Sequence, residues 1–112
     1  MLTKELTGAC STPMLLGVLA RGESYGYEIL VELKRLSGGE VDWAEGMLYP
    51  LLRRLEQQSL LKSRWVSPEE GRRRRYYKIT KKGKAALEVE KERWHEASEL
   101  LEKIWNPEKT VS

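Results

Sequence analysis

The sequence predicts a mainly α (α+β) fold in which one helix leads directly into a basic β-hairpin. Leucines recur at the spacing of one helix face, at Leu48, Leu51, Leu52 and Leu55. The pattern then changes to two short strand-like runs, residues 61–66 and 75–79, on either side of a turn-forming Ser-Pro-Glu-Glu-Gly segment. Four consecutive arginines follow this turn. A helix that can enter a major groove beside a basic hairpin is typical of a winged helix-turn-helix.

Three short helices are predicted before this stretch. Residues 1–10 form a helix too short to be stable alone, so it must dock on the rest of the chain. Thr12 is predicted to cap the helix Pro13–Arg21, because a hydroxyl N-cap followed by proline favours helix initiation. Ser24 is predicted to cap the next helix, residues 25–36.

The helix of the central stretch is predicted to run from residue 44 or 45 to about residue 59, across Pro50. The proline ring crowds the carbonyl four residues back, which here belongs to Gly46, and the missing side chain lets the backbone relax. The alternative is a helix that begins near Tyr49. Just before this helix, residues 41–43 are predicted to be extended and could add one short strand to the hairpin.

A long last helix, capped by Thr80, is predicted to run from Lys81 to about Trp105. Its apolar residues recur every seven positions, at Leu87, Trp94 and Leu101 and again at Ala97 and Ile104. About 24 residues span roughly 36 Å, which is longer than a three-helix globule can cover. We therefore expect this stripe to form a twofold homodimer interface, which Leu2 and Leu6 of the first helix join.

Composition bounds the class of protein. The 112 residues suit one domain with an appendage, and 40% hydrophobic residues exclude a disordered chain. We expect a winged helix-turn-helix domain with its N-terminal helix over residues 1–80, a dimerisation helix over 81–106 and a disordered tail over 107–112. The formal net charge is only +3, but residues 72–84 hold eight Lys or Arg and no acid. This segregation of charge favours a nucleic-acid partner more than the net charge does.

Several features that the sequence lacks restrict the compartment and the chemistry expected of the protein. Cys10 is the only cysteine, which excludes an intrachain disulfide and fits a cytoplasmic protein. No apolar run approaches the roughly 18 residues of a membrane span, so no membrane contact is expected. His95 is the only histidine and has no metal-ligating neighbours, and no nucleophile, base or paired-carboxylate pattern is present. We therefore expect no enzymatic activity, no cofactor and no metal site.

The candidate DNA contacts lie on the central helix and the hairpin. On the helix they are Met47, Tyr49, Arg53 and Arg54, although the Tyr49 ring could instead pack against the hairpin. On the hairpin they are Arg72, Arg73, Arg74, Arg75 and Tyr77. Four adjacent arginines repel one another unless an anion such as a phosphate lies nearby; the alternative is a solvated basic hairpin. Tyr76 and Tyr77 alternate in a strand, so one is expected in the core and the other near phosphate.

Lys81 and Lys82 are two further candidate phosphate contacts. They lie in the first turn of the last helix, where the helix dipole disfavours cations. An unfavourable position indicates a function, although tolerated surface lysines remain the alternative.

Trp94 is the candidate ligand residue. Two Trp94 rings that face each other at a dimer axis would form flat walls for a planar apolar ligand. The alternative is plain packing in the interface.

Four segments carry a family resemblance: Leu15–Gly22, Tyr25–Ile29, Gly46–Glu56, and Gly71–Tyr77 with Ile79, Thr80 and Gly83. Together they resemble the PadR family of bacterial transcriptional regulators, over Leu15 to Leu87. The Leu48-Tyr49-Pro50 core followed by Arg53-Arg54-Leu55-Glu56 is specific for this family. Two positions depart from the family pattern. Ala44 replaces a polar cap, for which Asp42 with Glu45 could substitute, and Lys81 replaces an acidic residue.

The resemblance implies a homodimeric repressor that binds an imperfect palindrome in double-stranded DNA, often near its own gene. It also implies a single C-terminal dimerisation helix and release of DNA by a small molecule, typically a phenolic acid or an apolar drug. Some short members use a tryptophan of that helix in a pocket at the dimer axis, and Trp94 matches this placement. The competing hypothesis is a ligand-sensing or protein-docking winged-helix dimer without specific DNA binding.

Overall fold

A computed structural model of the chain describes residues 2–69 and 71–110. Within them the chain forms five α-helices and one three-stranded antiparallel sheet. The elements are α1 (Lys4–Ala9), α2 (Ser11–Ala20), β1 (Ser24–Tyr25), α3 (Gly26–Leu36), α4 (Glu45–Gln57), β2 (Leu61–Val66), β3 (Arg74–Ile79) and α5 (Lys81–Trp105). The mainly α fold with a hairpin after the fourth helix is therefore confirmed. We call residues 61–79, which comprise β2, β3 and the turn between them, the wing.

The third strand of the sheet is not the one predicted. The strand order is β1-β3-β2, and β1 pairs Ser24 with Tyr77 and Tyr25 with Tyr76. The prediction that residues 41–43 add a strand is wrong, because Val41 is buried in the hydrophobic core and Trp43 packs against it. Packing of these two side chains and a hydrogen bond from Val41 N–H to Ser37 Oγ at 2.8 Å hold this connector in place without a backbone ladder.

Two predicted helix caps are also wrong. Ser24 belongs to β1, so Tyr25 occupies the N-cap of α3 and the Ser24 hydroxyl donates to Glu28 Oε1 at 3.1 Å. Thr12 lies inside α2, whose N-cap is Cys10. Because α1 ends at Ala9 and α2 begins at Ser11, the chain enters α2 earlier than a proline-based start predicts.

The predicted start of α4 ahead of Pro50 is confirmed. The N-cap is Ala44, without a side-chain hydrogen bond, and Asp42 lies 3.6 Å from Lys34 Nζ and does not cap the helix. The helix ends at Gln57 in a Schellman motif: Ser59 has φ +64°, and Leu60 N–H donates to the Leu55 carbonyl at 2.9 Å. This close ending turns the chain directly into β2.

The core lies where α2, α3, α4 and the sheet meet. The α4 leucines predicted to share one face are all buried there. Residues with almost no exposed surface include Leu15, Leu16, Leu19, Ile29, Leu48, Leu52, Leu55 and Leu61. Deleting one such side chain typically costs about 2–5 kcal/mol of unfolding free energy. One face of α4 is therefore fixed in the core, and the opposite face of this helix is exposed to solvent.

The last helix begins as predicted. The Thr80 hydroxyl accepts from Gly83 N–H at 2.9 Å and donates to the Ser59 carbonyl at 2.7 Å, so one residue caps α5 and ties it to the end of α4. Gly83 is required by packing, because a Cβ atom there would overlap the Leu60 carbonyl oxygen and lie 2.7 Å from Ile79 Cγ1. This contact sets the direction in which α5 leaves the core.

The helix α5 extends beyond the core. Leu87 is buried, but no residue from Glu88 to Trp105 is. The described chain measures 63 × 29 × 20 Å as a result. Where a disordered tail was expected, Pro107–Thr110 forms a 3-10 turn; residues 111–112 lie outside the described residues.

Candidate nucleic-acid interface

A groove of about 660 Å³ separates α4 from the wing. Its walls combine aromatic rings and cations, from Tyr25, Gly26, Tyr27, Tyr49, Arg53, Glu56, Trp65, Arg72, Arg73, Arg74, Arg75 and Tyr77. Each element contributes because of its position: the first turn of α3, the solvent face of α4 and the open end of the hairpin meet around this space. The groove brings together most of the predicted DNA contacts.

Tyr49 and Arg53 present the exposed face of α4 to the groove. The two residues are one helical turn apart and both are exposed, with Tyr49 at 43%. The Tyr49 ring lies against Gly26, where a Cβ atom would stand only 3.0 Å from Cζ. The tyrosine therefore packs on the start of α3, and it shares the groove with residues of the wing. Gly26 permits this close approach between the two helices.

The other two candidates on α4 lie outside the groove. Met47 is exposed near the start of the helix. Arg54 is exposed, but its Nη2 donates to Thr12 Oγ1 at 3.1 Å, so it ties α4 to α2. These positions follow from the helical period, which turns Met47 and Arg54 away from the Tyr49–Arg53 face.

Two adjacent arginines of the wing stack on aromatic rings that also line the groove. The guanidinium of Arg73 lies 4.8 Å from the centroid of the Trp65 ring. The guanidinium of Arg74 lies 4.5 Å from the centroid of the Tyr25 ring. Both arginines are exposed, as is Arg72. Cation–π stacking of this kind limits side-chain motion and leaves the N–H edges free to bind an anion.

Arg75 is held differently from its neighbours. Its Nη2 lies 3.0 Å from Glu56 Oε1, and its Nε donates to Ser63 Oγ at 2.9 Å. Ser63 in turn donates its hydroxyl proton to Glu56 Oε2. These three side chains link α4 with both strands of the wing.

The placement of Tyr77 near phosphate is corrected by the structure. Tyr77 is 5% exposed and belongs to the core, and burial raises the pKa of its phenol. The reason is the strand register: Tyr77 pairs with Ser63 and Ile79 pairs with Leu61, so these positions share the face of the sheet that packs on the core. Tyr76 is half-buried on the opposite face, edge-to-face with Tyr25 at 5.3 Å between centroids.

The two lysines at the start of α5 differ in their surroundings. Lys81 is exposed. Lys82 Nζ donates to the Gln58 carbonyl at 3.0 Å, at the C-terminal end of α4. A cation there interacts favourably with the dipole of α4, which offsets its unfavourable place in α5. Lys82 thus has a structural partner that the sequence did not indicate.

Sequence reasoning missed five residues of the groove: Tyr25, Gly26, Tyr27, Glu56 and Trp65. Trp65 is 55% exposed, and a tryptophan in a predicted strand close to four arginines was the available signal in the sequence.

On the outer face of the wing, Arg64 donates two hydrogen bonds to Glu23, which lowers the pKa of that carboxyl. This pair joins β2 to the chain just before β1.

The residues predicted for the dimer interface lie mainly along α5. Trp94, Leu101 and Ile104 are exposed apolar side chains, and Leu100 and Trp105 extend the same surface. Leu87 instead lies in the core of its own chain, and Leu2 packs against that core. Leu6 is exposed, at 42%. The solvent-exposed part of the predicted dimer seam therefore begins after Leu87.

In the part of the chain that the structure describes, no cluster of His, Cys, Asp and Glu is arranged to hold a metal ion. Over the same residues, no helix is both long and apolar enough to cross a membrane.

Known proteins match both the sequence and the fold. The profile of the Transcriptional regulator PadR-like family matches residues 15–89. A transcriptional regulator from Clostridium thermocellum superposes with a TM-score of 0.83 at 27% identity, over 92% of this chain and 97% of that one. A PadR family transcriptional regulator from Eggerthella lenta superposes at 0.79 with 31% identity, over 91% and 87% of the two chains.

A curated relative adds to this pattern. The Escherichia coli transcriptional regulator YqjI is 32% identical over 79 residues, which are 70% of this chain but only 36% of YqjI. The residues that match the family profile include α4 and the wing. With its profile match over residues 15–89 and its winged helix-turn-helix fold, the chain belongs to the PadR-like family of transcriptional regulators.

Proposed function

We propose that the protein is a homodimeric, sequence-specific DNA-binding repressor that binds a palindromic operator in the cytoplasm. One observation carries the proposal: Arg53 of α4 and Arg72–Arg74 of the wing are exposed around a single groove with Tyr49. A helix face beside a basic hairpin suits a major groove flanked by phosphates. Lys81 lies at the base of the wing, where it could extend the same set of phosphate contacts.

The proposed homodimer rests on α5. Its exposed side chains Trp94 and Leu101 lie seven residues apart, as do Ala97 and Ile104, which is the spacing of a helix–helix seam. A helix that leaves apolar residues in solvent beyond its own core is expected to bury them against a partner. A twofold axis through this seam would make the two α4 helices symmetry equivalents, as the two half-sites of a palindrome are.

Specific binding can be measured with duplex DNA taken from just upstream of the protein's own gene, beside a scrambled duplex of equal length. We expect fluorescence anisotropy to give about a thousandfold preference for the natural duplex, or about 4 kcal/mol. Half-sites should lie roughly 34–36 Å apart. Equal affinities of about 10⁻⁴ to 10⁻⁶ M for both duplexes and for a genomic library would favour a ligand-sensing or protein-docking dimer.

Release by a ligand is the second part of the proposal, with Trp94 as its residue. Trp94 is 37% exposed in the single chain, so a ligand at the dimer axis could reach its ring. Planar apolar or phenolic compounds are expected to quench tryptophan emission and to weaken operator binding in the same concentration range. The variant Trp94→Phe should lose most of the quenching, because it keeps an aromatic ring but removes the fluorophore.

Trp105→Phe is the matched control, since Trp105 is an exposed tryptophan of the same helix. It should retain the quenching. Unchanged quenching in Trp94→Phe would place the ligand elsewhere.

A further inference from the structure

A carboxylate lies among the arginines of the groove. Glu56 lies seven residues after Tyr49 and three after Arg53 on one face of α4, and it lines the groove with them. An acid on a surface that faces phosphates repels them. Its presence at this position therefore requires a compensating contact.

The wing supplies that contact through two donors. Arg75 Nη2 lies 3.0 Å from Glu56 Oε1, and the Ser63 hydroxyl donates to Glu56 Oε2. Arg75 Nε closes the arrangement by donating to Ser63 Oγ at 2.9 Å. We call this closed set the Glu56–Ser63–Arg75 triangle. It joins α4, β2 and β3 directly.

Within the triangle, Arg75 is less available to DNA than its neighbours. Two of its five N–H donors are engaged, and its charge faces a carboxylate. Its guanidinium also lies 5.6 Å from the centroid of the Tyr77 ring, toward the core. Arg73 and Arg74 stack only on aromatic rings and have no carboxylate partner among the described residues.

We propose that Glu56 is a specificity-determining positioning residue. It holds Arg75 and Ser63, fixes the separation of α4 from the wing, and withdraws Arg75 from the set of phosphate contacts. A duplex must satisfy a helix in its groove and a wing on its backbone at the same time, so a fixed separation selects among sites. This proposal rests on the proposed function, because it concerns the same DNA-binding groove.

The test uses a duplex selected by the wild-type protein from a random pool, beside a scrambled version of that duplex. Dissociation constants are measured by anisotropy on both duplexes over about 50–300 mM salt. The variants are Glu56→Gln, Arg75→Gln and the double variant, with Arg73→Gln for comparison. Glu32→Gln and Arg35→Gln are matched controls, because this pair makes a similar ion pair on α3, outside the groove.

Glu56→Gln is expected to reduce the ratio of the two affinities at least about tenfold, or about 1.4 kcal/mol. On the scrambled duplex it should bind no more weakly than wild type, with a steeper salt dependence, because Arg75 becomes available to phosphate. Arg75→Gln should reduce the ratio to the same extent and leave the salt slope on the scrambled duplex unchanged. The double variant should lower the ratio no further than either single variant, and its salt slope on the scrambled duplex should match that of Arg75→Gln. Arg73→Gln should lower that slope by about 0.9, the value of one phosphate contact.

Two results would overturn the proposal. One is a loss of slope in Arg75→Gln equal to that in Arg73→Gln, which would make Arg75 a phosphate contact. The other is an unchanged affinity ratio in Glu56→Gln.

Ser63→Ala is a second variant, which keeps the charges of Glu56 and Arg75 but removes the hydroxyl that joins them. It should also reduce the affinity ratio. Thermal unfolding checks that each variant is folded.

Failure of the proposed function gives a different result. If the wild-type protein selects no sequence, specific DNA binding is wrong. Electrostatic binding to random duplex does not require sequence specificity. The salt slopes of the wild-type protein, Glu56→Gln and Arg75→Gln on random duplex therefore still show whether Glu56 keeps Arg75 from contacting phosphate.

Discussion

Replacing Arg73 and Arg74 together with alanine is expected to weaken operator binding by at least about a hundredfold. Both guanidinium groups are exposed and are oriented by the rings of Trp65 and Tyr25. Hydrogen bonds to charged groups contribute about 1.5–3 kcal/mol each, so two lost phosphate contacts amount to about 3 kcal/mol or more. The slope of log K against log salt should fall by about 1.8, since each phosphate contact contributes about 0.9.

Anisotropy on the operator over a salt series measures both effects. Arg35→Ala is the control, because Arg35 is an exposed arginine that pairs with Glu32 outside the groove. It should leave the salt slope unchanged. An unchanged affinity and slope in the double alanine variant would mean that the wing does not bind DNA.

Introducing glutamate at both Leu101 and Ile104 is expected to abolish the homodimer. Both side chains are exposed on α5 beyond the core, so the single chain should remain folded. Two buried, unpaired carboxylates per chain would make the seam strongly unfavourable. A monomer binds one half-site, and operator affinity should therefore fall at least about a hundredfold, or about 2.7 kcal/mol.

Sedimentation velocity measures the oligomeric state, and far-ultraviolet circular dichroism measures the retained helix. Val31→Glu is the control for the dimer, because it adds the same charge at an exposed apolar residue of α3. It should sediment as a dimer. A dimer that persists in the Leu101→Glu, Ile104→Glu variant would place the interface away from this seam.

Local patterns in the sequence determined where the main elements lie. The leucine spacing of α4, the two strand-like runs of the wing and the cap of α5 at Thr80 each depend on residues close in the chain. The same holds for the start of α4 ahead of Pro50. Periodicity and capping act over one or two turns, so a single sequence carries them.

Partners distant in the sequence were decided only by the tertiary structure. Ser24 and Tyr25 pair with the free edge of β3, so Ser24 lies in a strand and not at its predicted cap. Core packing of Val41 and Trp43 holds residues 41–43 outside the sheet. The strand register placed Tyr77 in the core. Because short runs such as β1 carry little intrinsic preference, the edge available to them decides their structure.

The same division holds for the candidate interface. Charge segregation in the sequence determined that the wing is basic, and helical spacing placed Tyr49 and Arg53 on one face. Only the folded chain assigned Arg75 to Glu56 and Lys82 to the end of α4. The sequence shows where charges lie along the chain, but which of them are neutralised depends on contacts that packing creates between distant segments.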